Sequence, residues 1–329
     1  MADHPRLAEV ARRAGVSMIT ASRALRTPEK VAPATRARVQ AAVGALGYVP
    51  NLVAGALASA RTRNVALLVP TIASSIFAGT VNGVTDALEA EGYTIVLAQS
   101  GYDPARETRA LFALLGRRPE ALVMVGHPAT ASAAAVLTRA AADGIVVVEA
   151  WELPEAPVSA AVGFDNRAVG RQVAERFAAD GRRQLAFVGG DDARAAARFQ
   201  GFGEAACAAG LAAPSRVVLP APAAMDDAAS AAHQPALRRA DAIFAGTDVH
   251  AVGLLGALRA AGQVVPDDVA LVGLGDLEIA RHACPPLSTV RIDAEAIGRH
   301  AARLVRLGPE AAAGQRIDVG FTLIARATG

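Results

Sequence analysis

The sequence predicts an all-α helix-turn-helix head, a short connecting segment and a larger α/β body with parallel sheets. Three observations carry this. Residues 1–50 show helical spacing of apolar side chains, interrupted at Gly15, Pro28 and Gly47. From Val65 onward, short apolar runs alternate with helical stretches. The charge is also lopsided. The 329 residues carry a formal net +2. Residues 1–64 alone carry Arg6, Arg12, Arg13, Arg23, Arg26, Lys30, Arg36, Arg38, Arg61 and Arg63 against Asp3, Glu9 and Glu29, a net +7 that leaves −5 for the rest. A basic head on a mildly acidic body suits a head that meets a polyanion.

In the head, Leu7, Val10 and Ala11 give a first amphipathic turn that Gly15 ends. Ser17 stands as N-cap for a helix over 18–25, with Ala21, Ala24 and Leu25 on one side. After Pro28, a third helix begins past Pro33, turns Val39, Ala42, Val43 and Leu46 inward, and stops at Gly47. Two short helices joined by a glycine turn make a helix-turn-helix, whose second helix can enter a major groove N-terminus first. Residues 51–64, "NLVAGALASARTRN", form a linker that is either helical or disordered: Asn51 can cap it, and Leu52 and Leu57 give it an apolar face.

The body shows the strand-like runs "VALLVP", "TIVLAQ", "ALVMVG", "IVVVEA", "QLAFVGG", "DAIFAG" and "VALVGLG". Between them, 82–91, 105–117, 130–143, 166–180, 195–209 and 248–261 have helical spacing. The length suits two sheets. Ligands in such sheets sit beyond the C-terminal strand ends, so the loops of interest follow Pro70, Gln99, Gly126, Glu149, Phe164, Gly190, Gly246 and Gly275.

Several classes are disfavoured. Cys207 and Cys284 are isolated, which argues against a metal site or disulfide framework. No apolar run reaches the ~18 residues of a membrane span, and "MADHPRLAEV" lacks the apolar core of a signal peptide, so a cytoplasmic protein is expected. "VGLGDLE" offers Gly273 and Gly275 after a strand but no third glycine, a weak dinucleotide fingerprint. No catalytic triad, zinc spacing or phosphate loop stands out; no enzyme activity, catalytic residue, metal or cofactor is expected.

Together the segments "VARRAGVSMITASRAL", "VAPATRARVQAAVGALGYVPN", "GALASARTRNVALLVP", "GFDN", "RFQGFGEA", "GTDVHAVGLLGAL" and "PDDVALVGLGD" resemble the lactose-repressor (LacI) family of bacterial transcription regulators, in order along essentially the whole chain. The resemblance implies a DNA-binding head over 1–50, a hinge helix and linker over 51–64, and a two-lobed body like a periplasmic binding protein. The N-terminal lobe would comprise 65–161 plus 291–319, and the C-terminal lobe 162–290 plus 320–329. "SMITASRALRTPEKV", "SGYDP", "VGFDN" and "GFTL" look most like the gluconate-utilisation repressors of that family.

Carried onto this chain, the resemblance lays Ser17, Met18, Ile19, Thr20, Ser22 and Arg23 along the recognition helix. Met18 and Ile19 occupy base-discriminating positions and, being apolar, would read thymine methyls or groove shape. Arg23 would be the main polar reader, or else a phosphate contact. Thr20, Ser22, Thr35 and Arg36 are phosphate anchors, and Asn51 belongs to the same surface. Leu57 resembles the hinge leucine that wedges into a central minor-groove step. The family usually places Arg two residues before it; here stands Gly55.

The effector would sit between the lobes. Phe77 matches an apolar pocket position, with Ser74 and Ser75 before it as hydroxyl donors. Arg198 matches the family's ligand-gripping arginine, and Arg194 lies one helical turn earlier on the same face. Two arginines in one cleft suit a carboxylate or phosphate. Neutral-sugar members usually carry Asp where this chain has Gly275, with Asp276 behind it. Both departures favour a sugar acid such as gluconate. Asp165, Asn166, Thr247 and Asp248 could contact hydroxyls, although Asp248 could equally cap a helix beginning near 249. His127 and Trp151 sit at strand-end loops and line the cleft or simply pack.

The expected protein is a homodimeric repressor on near-palindromic operator DNA, released by its small-molecule effector. Corepression, or a neutral or phosphorylated sugar, is the alternative; a sugar-binding protein without a DNA role is a remote one. "GFTLIARATG" shows no leucine heptad, so a dimer is expected over a tetramer.

Overall fold

The computed structural model describes residues 5–49, 62–73 and 75–329. The chain divides into two units, Met1–Thr62 and Arg63–Gly329. In the first, α1 (Leu7–Ala14), α2 (Met18–Arg26) and α3 (Pro33–Leu46) follow the expected helices, with a 3-10 turn at Pro28–Lys30 between the last two. Gly15 ends α1 at φ +64°, and its N–H returns to the carbonyls of Ala11 and Arg12. A left-handed residue there turns the chain sharply without a Cβ penalty. Ser17 Oγ accepts from the Thr20 N–H at 3.1 Å and starts α2. Val10, Ala14, Ala24, Val39 and Ala42 form the core of this unit, flanked by Leu25, Val43 and Leu46.

The second unit is built on two sheets. Among the described residues, the first has the order β11-β5-β4-β3-β1-β2. Its strands are β1 (Asn64–Val69), β2 (Thr94–Gln99), β3 (Ala121–Val125), β4 (Val146–Ala150), β5 (Ala160–Gly163) and β11 (Arg316–Asp318), all paired in parallel. The second has the order β12-β10-β9-β8-β6-β7. It holds β6 (Leu185–Gly189), β7 (Ser215–Val218), β8 (Ala242–Ala245), β9 (Ala270–Gly275), β10 (Ser288–Arg291) and β12 (Thr322–Ile324). There only β12 runs antiparallel to its neighbour. Helices flank both sheets: α4 (Ala78–Glu89), α5 (Pro104–Leu115) and α6 (Ala131–Ala142) belong to the first. In the second, α7 (Asn166–Ala179), α8 (Ala193–Ala208), α9 (Met225–Ala231), α10 (Pro235–Arg238), α11 (Asp248–Ala260) and α12 (Glu278–His282) alternate with the strands. Then α13 (Ala294–Leu307) returns to pack on α4, and α14 (Pro309–Ala312) leads into β11.

The chain therefore passes between sheets after β5, after β10 and after β11. Two of the lobe boundaries expected from the sequence fall inside strands. Val162 and Gly163 stay in the first sheet, paired with Ile317 and Asp318, and Arg291 stays in the second, opposite Gly275. The strands continue for as long as a neighbour offers backbone partners.

One close approach positions the ligand cleft. Helices α7 and α8 meet at Gly170 and Gly201. A Cβ on Gly170 would collide with the Arg198 carbonyl, and one on Gly201 with that of Arg167. Glycine at both positions lets the backbones touch. It also brings Arg198, on α8, against Asn166 at the start of α7.

Candidate functional site

The head presents one polar and apolar face of α2. Ala21 and Ala24 point into the core. Met18 and Ile19 stand 56% and 71% exposed, although they are the largest apolar groups of the helix. Arg23 is exposed one turn beyond Ile19, and its side chain has no partner among the described residues. Ser17 and Thr20 share a hydroxyl contact of 2.9 Å at the helix start. Thr20 and Ser22 are half-buried, as are Thr35 and Arg36 in the first turn of α3. Asn51 and Leu57 lie outside the described residues, as does Ser74 of the ligand site.

In the body, residues from opposite lobes converge beyond the C-terminal strand ends. Phe77, in the 3-10 turn Ser75–Phe77 after β1, stands edge-on to Trp151 with ring centres 5.1 Å apart. Ser75 in the same turn is exposed. Trp151 is buried; its indole N–H donates to Thr80 Oγ1 at 2.9 Å, and its ring meets Phe164 at 5.8 Å. Asn166 Nδ2 donates to the Trp151 carbonyl at 3.0 Å, and Asn166 Oδ1 accepts from Arg198 Nη1 at 2.5 Å. Trp151 and Asn166 thus build the wall that orients Arg198.

Both arginines are buried, each 7% exposed. Their electrostatic states differ. Arg194 Nε lies 3.2 Å from Asp192 and 4.0 Å from Glu152, and its guanidinium carbon sits 5.7 Å from the centre of the Phe77 ring. Burial would lower its pKa, but Asp192, Tyr102 and Glu152 outweigh this and raise it. Arg198 has no carboxylate within ion-pair distance among the described residues. Burial, aided by repulsion from Arg194, lowers its pKa to about 10, so it remains a cation at neutral pH. Arg194 Nη1 and Arg198 Nε are buried without a hydrogen-bond partner. Buried donors left unpaired cost about 1–3 kcal/mol each, so the two atoms are open to an acceptor entering the cleft.

The remaining expected residues divide. Asp165 is exposed and caps α7, accepting from the Ala168 N–H at 2.9 Å. The cap of α11 is Thr247, which accepts from the His250 N–H; the possibility that Asp248 caps this helix is corrected. Asp248 is fully buried instead. It accepts from Thr289 Oγ1 at 2.5 Å and from the Leu277 N–H at 2.7 Å, fastening the loop after Gly275. Burial raises its pKa to about 6 despite both hydrogen bonds. Asp276 turns to Arg326 at 2.5 Å and Arg291 at 2.7 Å, so the acid behind Gly275 is spent on its own lobe. His127 Nδ1 lies 2.6 Å from Glu149, which is wholly buried, while the imidazole itself remains 43% exposed.

Comparison with known proteins decides the family. Residues 6–51 match the bacterial regulatory proteins of the lacI family, and residues 174–328 match a periplasmic binding protein-like domain. The HTH-type transcriptional regulator GntR of Pseudomonas aeruginosa is 36% identical, over 98% of this chain and 95% of that one. The chain belongs to the lacI family.

A crystal structure of a lacI-family transcriptional regulator from Silicibacter pomeroyi superposes with a TM-score of 0.88 at 32% identity, covering 98% of this chain and 99% of that one. A CelR–cellobiose complex does so at 0.69 and 31%, covering 99% and 100%. As a lacI-family protein the chain is a DNA-binding transcriptional regulator and not an enzyme. No helix among the described residues is long and apolar enough to cross a membrane.

Four cleft residues escape sequence reasoning: Tyr102, Glu107, Glu152 and Asp192. Tyr102, at φ +60° after β2, feels Arg194 and Arg198, and burial raises its pKa. Glu152 receives the His127 N–H at 3.2 Å, and Glu107 receives that of Ala129 at 2.9 Å; burial raises both carboxyls. For Asp192 burial works upward, but Arg194, Arg198 and two backbone N–H groups prevail and lower it. "SGYDP" marks Tyr102 in the sequence; nothing local marks the acids as partners of Arg194.

Proposed function

We propose that this regulator is a homodimeric repressor released from a near-palindromic operator by a small sugar acid, gluconate or a close relative. The observation that carries the reading is Arg198: a buried cation with no carboxylate within ion-pair distance among the described residues, Asp192 acting on it only from further off, and with its Nε unpaired. Arg194 already faces Asp192 and Glu152, so Arg198 is the arginine left to meet one carboxylate. The acids around Arg194 disfavour a dianionic phosphate. The relative named GntR supports the same ligand class.

On the DNA side, Ser17, Thr20, Ser22, Thr35 and Arg36 anchor phosphates, and Arg23, Met18 and Ile19 read bases. Leu57 would wedge into the minor groove, and Asn51 would contact the operator. Exposed Leu97 on the edge strand β2 and Phe112 on α5 support pairing with a second copy. The effector shifts operator affinity only by its unequal affinity for the two lobe arrangements.

The test begins with an operator selected from random duplexes. Sugar acids, their phosphates and neutral sugars are then screened by thermal shift and by release of the labelled operator, with Arg198→Ala as control. Sugar acids are expected to raise the Tm and release the operator from the native protein but not from the variant. Operator affinity is expected to fall steeply with salt. Stabilisation by neutral sugars alone, the ligand class of the CelR–cellobiose complex, would overturn the anionic reading.

A further inference from the structure

Arg194 does more than stand beside Arg198. It extends from α8 of the second lobe across the cleft, and it meets three elements of the first lobe. Its guanidinium lies over the Phe77 ring after β1. Its Nε lies 4.0 Å from Glu152 after β4. Its Nη1 lies 3.1 Å from where a Cβ on Gly126, after β3, would stand. At its own base Asp192 holds the Nε at 3.2 Å and fixes its direction.

A second polar link between the lobes, Asn166 to the Trp151 carbonyl, lies beside the crossing after β5. A bond at a crossing moves little when lobes open. Arg194 reaches across the mouth, where opening must break its contacts with Phe77 and Glu152.

We propose that Arg194 is a positioning residue. It is a ligand-independent latch that draws the first lobe onto the second and sets how far the cleft is closed before effector arrives. Glu152 supplies the opposing charge, and its other oxygen fastens the 126–129 loop through the His127 N–H. Phe77 supplies a cation–π face 5.7 Å from the guanidinium carbon. Gly126 leaves room for the guanidinium. Effector binding at Arg198 then starts from a partly closed cleft, and less of the ligand's differential affinity is needed to complete closure.

The test uses unliganded full-length protein, so its failure is separate from failure of the sugar-acid reading. Spin labels are placed at exposed Ser132 and Glu278, at the starts of α6 and α12 on opposite lobes, with Cys207 and Cys284 replaced by Ser. Distances are measured by electron–electron resonance with labelled protomers diluted in unlabelled ones. Arg194→Met and Glu152→Gln, both near in volume to the native residues, are each expected to lengthen and broaden the distribution. The double variant is expected to match Arg194→Met, since without the guanidinium the Glu152 carboxylate has no latch to form. Unchanged distances in both single variants would overturn the latch and leave Arg194 as a ligand contact. Fully additive shifts would also overturn it, since the two residues would then act separately.

Discussion

The recognition helix and the ligand cleft invert the ordinary burial rule in opposite directions. On α2, Met18 and Ile19 hold apolar surface in water. In the cleft, Arg194 and Arg198 hold guanidinium groups in the core. The two inversions differ in what they ask of folding. An apolar side chain left more than half exposed, as Met18 and Ile19 are, gives up no polar hydration on folding, so it adds little to the cost of folding. A buried guanidinium gives up its hydration on folding, and Arg198 recovers only part of it through Asn166. The proposed recognition surface on the head thus costs little stability, whereas the buried arginines proposed to hold the effector cost more.

The largest test of this contrast is Arg198→Met, which keeps much of the volume and removes the charge. Effector affinity is expected to fall by at least about 100-fold, the scale of losing a charged hydrogen-bonded pair. Without ligand, the same variant is expected to be more stable by roughly 1–2 kcal/mol, because an uncompensated buried cation is gone. Titration calorimetry and unliganded chemical denaturation read the two effects. An unliganded variant less stable than the native protein would break the contrast, since it would mean that Arg198 is structurally matched.

A second test concerns Asp248, whose buried carboxyl titrates near 6 rather than at its ordinary value of 3.8. The folded state therefore holds this proton over a range where the unfolded chain has lost it. The sign follows: this group makes stability fall as pH rises from about 4 to about 6, by about 3 kcal/mol in all, and the deficit persists above. Asp248→Asn removes the titration, and its unfolding free energy should lack that component. Parallel denaturation series at pH 4, 5, 6 and 7.5 check it; superposable profiles for native and variant protein would show that burial does not govern this carboxyl. The result would place the cost of polar burial in the loop after Gly275 as well as at Arg198.

The two regions were also unequally legible. The head could be read from local chemistry: Gly15 for the turn, Ser17 for the cap, Pro33 and Gly47 for the ends of α3. The central strands β1, β3, β4, β6, β8 and β9 announce themselves as apolar runs. The short strands β5, β7, β10, β11 and β12 do not, because their three or four residues are mixed with Ser, Thr, Arg or Asp or are little more than alanine, and their partners come from far along the chain. The helix α13 also lay outside the stretches read as helical. In the cleft, Arg194 and Arg198 stand out through their spacing and the family resemblance. That Arg194 is matched and Arg198 is not was illegible. Asp192 precedes α8, Glu152 follows β4 and Tyr102 follows β2, and only the two-sheet topology brings them to one guanidinium. Asp248 is not the cap of α11 for the same reason: its partners Leu277 and Thr289 lie on another loop and another strand.

The smallest expected effect belongs to the head. Met18→Ala and Ile19→Ala, made singly and together, remove methyl and methylene groups from side chains that are 56% and 71% exposed. Stability should stay within about 0.5 kcal/mol of native, as for surface substitutions that break no contact. Operator affinity should fall by about 1–2 kcal/mol per residue, the scale of burying a few apolar carbons against a groove. The loss should be sequence-selective, shrinking on duplexes whose thymines at the contacted steps are replaced by uracil, which lacks the methyl group. The salt slope should be unchanged, since no phosphate contact is lost. Anisotropy titrations on the selected operator and its uracil version separate these cases. An equal loss on both duplexes would mean that the two side chains read groove shape, and a fall in stability would mean that the face is not free of folding cost after all.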